Sequence, residues 1–143
     1  ADVAVMAAAV ADWRAAKPAA SKIKKRAAGG VPTLTLTENP DILATVGRHH
    51  TLRPALVVGF AAETADLLAN AAAKLKAKGA DWILANDVSP RTGVMGGDEN
   101  TIHLVSAADV EDWPTMTKSA VAERLVGRIG DALAKGRRGR KSR

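Results

Sequence analysis

The chain has no cysteine. That excludes disulfides and thiolate metal sites, and with them the cross-linked secreted scaffolds. It has no tyrosine, one phenylalanine and three tryptophans, so its core has to be aliphatic and alanine-rich, with helices packed closely. No apolar run approaches the ~20 residues that span a bilayer, and no basic-then-apolar leader pattern is found. The expected location is the cytoplasm, with no membrane contact. There is no G-x-G-x-x-G and no P-loop, and no credible Ser/His/Asp arrangement. His49, His50 and His103 have no metal-like spacing with acids and read as surface or helix-end residues.

The charge excess is local. The chain is +6 overall, yet six of its 21 Lys/Arg and none of its 15 acids lie in the last nine residues, KGRRGRKSR. The body is therefore neutral. Residues 135–143 read as a disordered basic tail, a solubilising end rather than a nucleic-acid or membrane patch. The remaining residues, 1–134, form one domain of ordinary composition.

Residues 3–10 (VAVMAAAV) are apolar on both parities. This predicts a strand covered on both faces, as in a parallel sheet between helices. It ends at Ala11-Asp12-Trp13, at the sheet edge where ligands bind in open α/β folds. The small Ala7, Ala8 and Ala9 would let a ligand approach the backbone. A basic cluster, Lys22-Ile23-Lys24-Lys25-Arg26, follows beside a Gly-flanked loop. It suits a flap closing over phosphate; otherwise it is a charged surface loop.

Residues 33–37 (TLTLT) alternate and predict a half-exposed strand at an edge or in a hairpin. Asn39-Pro40-Asp41-Ile42 reads as a helix start, with Asn39 as cap and the helix running to His50. It is a natural anion site or an ordinary cap. Residues 55–62 (ALVVGFAA) predict a central strand ending at Glu63-Thr64, with Phe60 against a base or filling the core. A helix over 66–78 follows, with Leu67, Leu68, Ala71, Ala72 and Leu75 on its buried face and Gly79 as its stop. Lys74 and Lys78 lie i, i+4, able to reach one anion or merely favouring the helix dipole. Residues 81–87 form a third strand ending in Asn86-Asp87, parallel to the second by the β-α-β spacing. A loop over 88–100, a strand over 101–105 and an amphipathic helix over 117–134, carrying Val121, Leu125, Ile129 and Leu133, complete the pattern. Three strand tips thus converge on one rim at Asp12, Glu63-Thr64 and Asn86-Asp87. Asp12 is either a ligand to Mg²⁺ bound with a triphosphate or a solvated cap. A carboxylate and several cations at one strand end suggest a phosphorylated ligand with a metal.

MAAAVADW, KIKK, NPDI, VVGFAAET, KLKAKGAD and ANDV, in that order, resemble the phosphopantothenate–cysteine ligase family over residues 1–104. In bacteria this ligase is usually fused to a flavin-dependent phosphopantothenoylcysteine decarboxylase, both acting in coenzyme A biosynthesis. The resemblance implies a Rossmann-like three-layer α/β sandwich with a mostly parallel central sheet. It implies CTP-dependent joining of 4′-phosphopantothenate to cysteine. The carboxylate attacks the α-phosphate, releasing pyrophosphate, and the cysteine amine then displaces CMP from the acyl-cytidylate. By motif, the CTP positions are Met6, Ala7, Ala8, Asp12, Lys22, Pro40, Asp41, Ile42, Leu43, Phe60, Lys74 and Lys78. Lys22 and Ala8 fall at catalytic positions, and Asp12 at the Mg²⁺. A homodimer is implied, with the 33–37 strand as a dimer element, and a larger oligomer through the fused flavoprotein, where alone FMN would bind. The family's Gly-rich opening, with its Asn and Ser residues, is missing. The first βα unit is therefore expected to lie outside this chain, as a fragment that does not complete catalysis alone. Two rivals remain: a nucleotide-binding oxidoreductase domain, which should show a Gly-rich fingerprint, and a nucleic-acid module working through the tail.

Overall fold

The structure, a computed structural model, describes residues 1–7, 10–18, 21, 33–88 and 97–141. It consists of two compact units, one of Ala1–Ala7 with Ile42–Arg143 and a smaller one of Ala8–Asp41.

The larger unit is built on β1 (Val3–Met6), α1 (Ile42–Gly47), β4 (Leu56–Glu63), α2 (Leu67–Lys78), β5 (Trp82–Asp87), β6 (Glu99–Asn100), β7 (His103–Ser106), β8 (Val110–Asp112), β9 (Met116–Thr117) and α3 (Lys118–Lys141). β2 (Trp13–Ala15) and β3 (Leu36–Glu38) belong to the smaller unit. Five strands form the main sheet in the order β1-β4-β5-β7-β8. β1 and β5 both run parallel to β4, and β7 and β8 continue the sheet antiparallel.

Alternation along the central strands sorts the core into two layers. Leu56 and Val58 of β4, Leu84 of β5 and Leu104 of β7 pack with Trp113 and with Val121 and Leu125 of α3. Ala61, Ile83, Ala85 and Val105 face the other way, against Ala71 and Leu75 of α2 and Leu43 of α1. The result is helix, sheet, helix: the three-layer α/β sandwich with parallel central strands that the sequence implies.

Glycines set two close approaches. A Cβ at Gly59 would lie 2.6 Å from Leu43 Cδ2, so glycine there lets α1 settle on β4. Gly79 ends α2 with φ 65°, a left-handed conformation that favours glycine.

Several expectations need correction. β1 is an edge strand, not covered on both faces, and Val5 on it is 42% exposed. The described strand stops at Met6; Ala8 and Ala9 lie outside the described residues, and Val10 is exposed. The chain past Asp12 continues into β2, paired antiparallel with β3, a strand absent from the sequence reading. The strand over 33–37 is shorter and shifted, to Leu36–Glu38. α1 begins at Ile42, not Pro40, because Asn39 is used elsewhere. On α2, Leu68 and Ala72 face solvent, since a 12-residue helix on a flat sheet buries only a narrow stripe. β8 and the short β6–β9 ribbon are too brief to show a period. α3 continues through Lys141, so the stretch expected as a disordered tail carries helical backbone over 135–141, where no proline interrupts it.

Candidate functional site

In the larger unit, the carboxyl ends of β4 and β5 lie side by side, while β1 ends opposite Gly59, midway along β4. Met6 pairs with Gly59, Ala62 with Asn86, and Glu63 with Asp87. Two of the three expected strand tips therefore do meet on one rim. The third, Asp12, belongs to the smaller unit. Below that rim, at the level of Gly59, lie Met6 at the end of β1, Leu43 in the first turn of α1 and Phe60, the next residue of β4. Leu43 touches the Gly59 position directly.

Sheet alternation separates some of these residues. Phe60 packs on the α3 side with Val58 and Leu84, whereas Leu43 packs on the α2 side with Ala61 and Ala85. Phe60 is half-buried, so it fills core with one part while another stays accessible. The β4–α2 turn is fixed by Asn70, whose Nδ2 donates to Glu63 Oε2 at 3.2 Å and to the Ala65 carbonyl at 3.0 Å. Glu63 is thus committed to shaping the rim.

Lys74 and Lys78 are half-buried on α2. The helix leaves the rim at Leu67 and descends toward the amino ends of the strands, so Lys78 lies about 16 Å along the axis from Leu67. Lys78 therefore stands at the far end of α2 from the rim, with Lys74 one turn nearer.

That far end is tied by Arg53. Its Nε donates to the Gly47 carbonyl at 2.7 Å, Nη1 to Pro54 O at 2.9 Å, and Nη2 to Gly79 O at 2.8 Å and Asp81 Oδ2 at 2.9 Å. Asp81 also accepts from the Val57 N–H at 2.7 Å. Arg48 Nη2 donates to the Ala77 carbonyl. Nothing in the sequence pattern signals this clamp; its role is to hold α1, α2, β4 and β5 in register beneath the rim.

In the smaller unit, residues far apart in sequence converge. The Asn39 N–H donates to the Asp12 carbonyl at 2.8 Å, and Asn39 Nδ2 to the Ala11 carbonyl at 2.7 Å. Arg14 Nη1 donates to Glu38 O at 2.8 Å and to Asn39 Oδ1 at 2.9 Å. Asp12 is thereby held against the segment that leads into Pro40 and Asp41. Ala8 and the whole basic cluster with Lys22 lie outside the described residues.

A further polar cluster, unforeseen from sequence, joins β8 to α3. Glu111 accepts from Trp113 Nε1 at 2.9 Å, Arg124 Nη2 at 3.1 Å and Arg128 Nε at 2.9 Å, and Arg124 stacks 4.9 Å from the Trp113 ring centroid. Burial pushes the Glu111 carboxyl up, but the bonds from Arg124 and Trp113 and the charge of Arg128 outweigh it and hold the group below 4.5. Next to it, His103 Nδ1 meets Asp112 Oδ1 at 2.6 Å across the β7–β8 pair. These contacts anchor α3 and finish the sheet.

A three-layer α/β unit around a central sheet with parallel core strands defines a class, the Rossmann-like α/β folds. Within that class, residues 1–133 match the family described as the DNA/pantothenate metabolism flavoprotein C-terminal domain, and the chain belongs to it. The chain is similar to the coenzyme A biosynthesis bifunctional protein CoaBC of Escherichia coli K12, 42% identical over 123 residues, covering 85% of this chain and 30% of that protein. It is likewise 40% identical over 142 residues to CoaBC of Mycobacterium bovis, covering 94% of this chain and 34% of the relative. The crystal structure of the C-terminal domain of CoaBC superposes with a TM-score of 0.68 at 30% identity, covering 94% of this chain and 56% of that one. The chain thus spans about a third of the length of the curated relatives it matches. No described helix is long and apolar enough to cross a membrane.

Proposed function

We propose that this chain carries the CTP-handling part of a phosphopantothenate–cysteine ligase, an enzyme of coenzyme A biosynthesis. The observation that supports the reading is the register between β1 and β4, which sets Met6 beside Gly59 with Phe60 next along β4 and Leu43 over Gly59. A backbone edge bordered by small residues, one aromatic ring and a helix start suits a nucleoside, as carboxyl rims of parallel sheets do generally.

In this reading Met6, Ala7 and Ala8 border the cytidine with Phe60. Residues 40–43 lie along the phosphates, with Pro40 offering no N–H. Lys22 stabilises charge that develops on the attacked α-phosphate; Lys74 and Lys78 are assigned as further cations by their motif alone, since α2 carries Lys78 away from the rim. The substrate carboxylate attacks that phosphorus, pyrophosphate leaves, and the cysteine amine later expels CMP. Among the described residues no group of three or more His, Asp or Glu side chains could hold a metal ion. In this reading a Mg²⁺ would arrive on the triphosphate, with the exposed Asp12 lending one carboxylate. The β2–β3 ribbon, with Trp13, Leu34 and Leu36 each more than half exposed, is the surface on which a second copy would pair.

Titration calorimetry with CTP and Mg²⁺ beside NAD(H) tests the reading. CTP binding without NAD binding supports it; NAD binding without CTP binding returns the chain to the oxidoreductase alternative.

A further inference from the structure

The smaller unit is held together differently from the larger one. Its two strands are three residues each, and a lone two-stranded ribbon is at best marginally stable in water. Burial gives it little help: Trp13 is 55% exposed, Leu34 60% and Leu36 54%. No described residue of 8–41 belongs to either buried core cluster. Beside the β2–β3 pairing and the Ala16 N–H bond to the Thr35 carbonyl, its side-chain hydrogen bonds among the described residues converge on Arg14 and Asn39.

Asn39 uses its backbone N–H, its side-chain amide and its side-chain oxygen at once, binding Asp12 O, Ala11 O and Arg14 respectively at 2.7–2.9 Å. Arg14 in turn bridges Asn39 Oδ1 and the Glu38 carbonyl from a single nitrogen. An asparagine before a Pro-Asp helix start would ordinarily cap the helix; here its side chain is spent on closing a 28-residue separation in sequence to Ala11. The segments it joins carry Asp12 on one side and Pro40 and Asp41 on the other.

We propose that Arg14 is a positioning residue for nucleotide binding: by fixing the Asn39 side chain it locks the Asp12 segment to the Pro40-Asp41 segment, so that both meet the ligand in one arrangement. The inference rests on the CTP reading given above. Arg14 itself touches no ligand in this scheme; it lowers the ordering that binding would otherwise require.

The test is calorimetric titration of CTP with Mg²⁺ into the chain and its Arg14→Ala, Arg14→Lys, Asn39→Ala and doubly substituted (Arg14→Ala, Asn39→Ala) variants, with hydrogen exchange at the Asn39 amide. Arg14→Ala should weaken binding about tenfold and speed exchange at Asn39, while the thermal transition of the larger unit stays in place. Arg14→Lys should fall between. The double variant should be no weaker than the weaker single one, because both changes open the same latch. Additive losses would mean that Arg14 acts on the nucleotide by itself and would overturn the positioning role. So would unchanged CTP affinity in Arg14→Ala. Absence of CTP binding in the unsubstituted chain would instead overturn the nucleotide reading, and this inference with it.

Discussion

Gly47 sits so close to Lys78 that a Cβ on the glycine would overlap the Lys78 carbonyl oxygen and lie 2.8 Å from the Gly79 carbonyl oxygen. The end of α1 is thus pressed against the end of α2, backbone to backbone. Gly47→Ala forces main chain apart and should cost about 3 kcal/mol. Gly59→Ala meets Leu43 Cδ2 and Ile83 Cδ1, side-chain ends that can give way, and should cost about 1 kcal/mol. Urea unfolding of both variants checks the ranking; equal costs would show that the α1–α2 contact is looser than described.

The Arg53–Asp81 clamp offers a second test. Asp81 accepts from the N–H of Val57, a residue with 0% exposure, as well as from Arg53. Asp81→Ala leaves that N–H unpaired and should cost about 2–3 kcal/mol, whereas Asp81→Asn keeps an acceptor and should cost about 1 kcal/mol. The difference between the two, rather than either value, isolates the Val57 bond from the partly exposed ion pair.

Glu111 makes stability depend on pH. Its folded carboxyl is held below the ordinary 4.5, so folding favours the ionised form. The stabilisation is complete above about pH 4.5 and is lost as the pH falls through the lowered folded value. Glu111→Gln keeps the shape and removes the titration. The gap in unfolding free energy between the two proteins should be widest at neutral pH and close in acid; a gap constant from pH 7 to 3 would remove Glu111 from the account.

The central layers were legible because their signals are local. Residues 56–62 and 82–85 are apolar on both parities, and Gly79 stops α2 where a left-handed residue is needed. What sequence could not show depends on partners far along the chain. Trp13-Arg14-Ala15 is too short for a period, and it is a strand only because Glu38, Thr37 and Leu36 lie opposite. Asn39 reads as a cap until Ala11 and Arg14 claim its side chain. For the site, the rim of β4 and β5 could be read from strand tips. The descent of α2, which carries Lys78 away from that rim, follows from the direction of the helix and not from i, i+4 spacing.

Two substitutions probe the chemistry in the intact enzyme. Lys22→Ala should depress acyl-cytidylate formation about 100-fold or more while CTP affinity changes little, if, as proposed, its charge acts mainly in the transition state. Asp12→Asn should weaken CTP binding in a way that depends on Mg²⁺ concentration. Single-turnover kinetics with a magnesium titration separates the two effects, and normal turnover in Lys22→Ala would reduce it to a surface residue.

The basic end should be dispensable for this function. Removing residues 135–143 takes away six positive charges but no residue of the two core clusters. CTP affinity should be unchanged; loss of the only measurable ligand binding would favour the nucleic-acid alternative.

The most direct measurement is to add CTP with Mg²⁺ to isotopically labelled protein and record amide shifts by NMR. The account predicts changes centred on Met6, Ala7, Ile42, Leu43 and Phe60, with Val121, Leu125 and the Glu111–Arg128 cluster silent. Changes confined to α3, or none at saturating CTP, would contradict it.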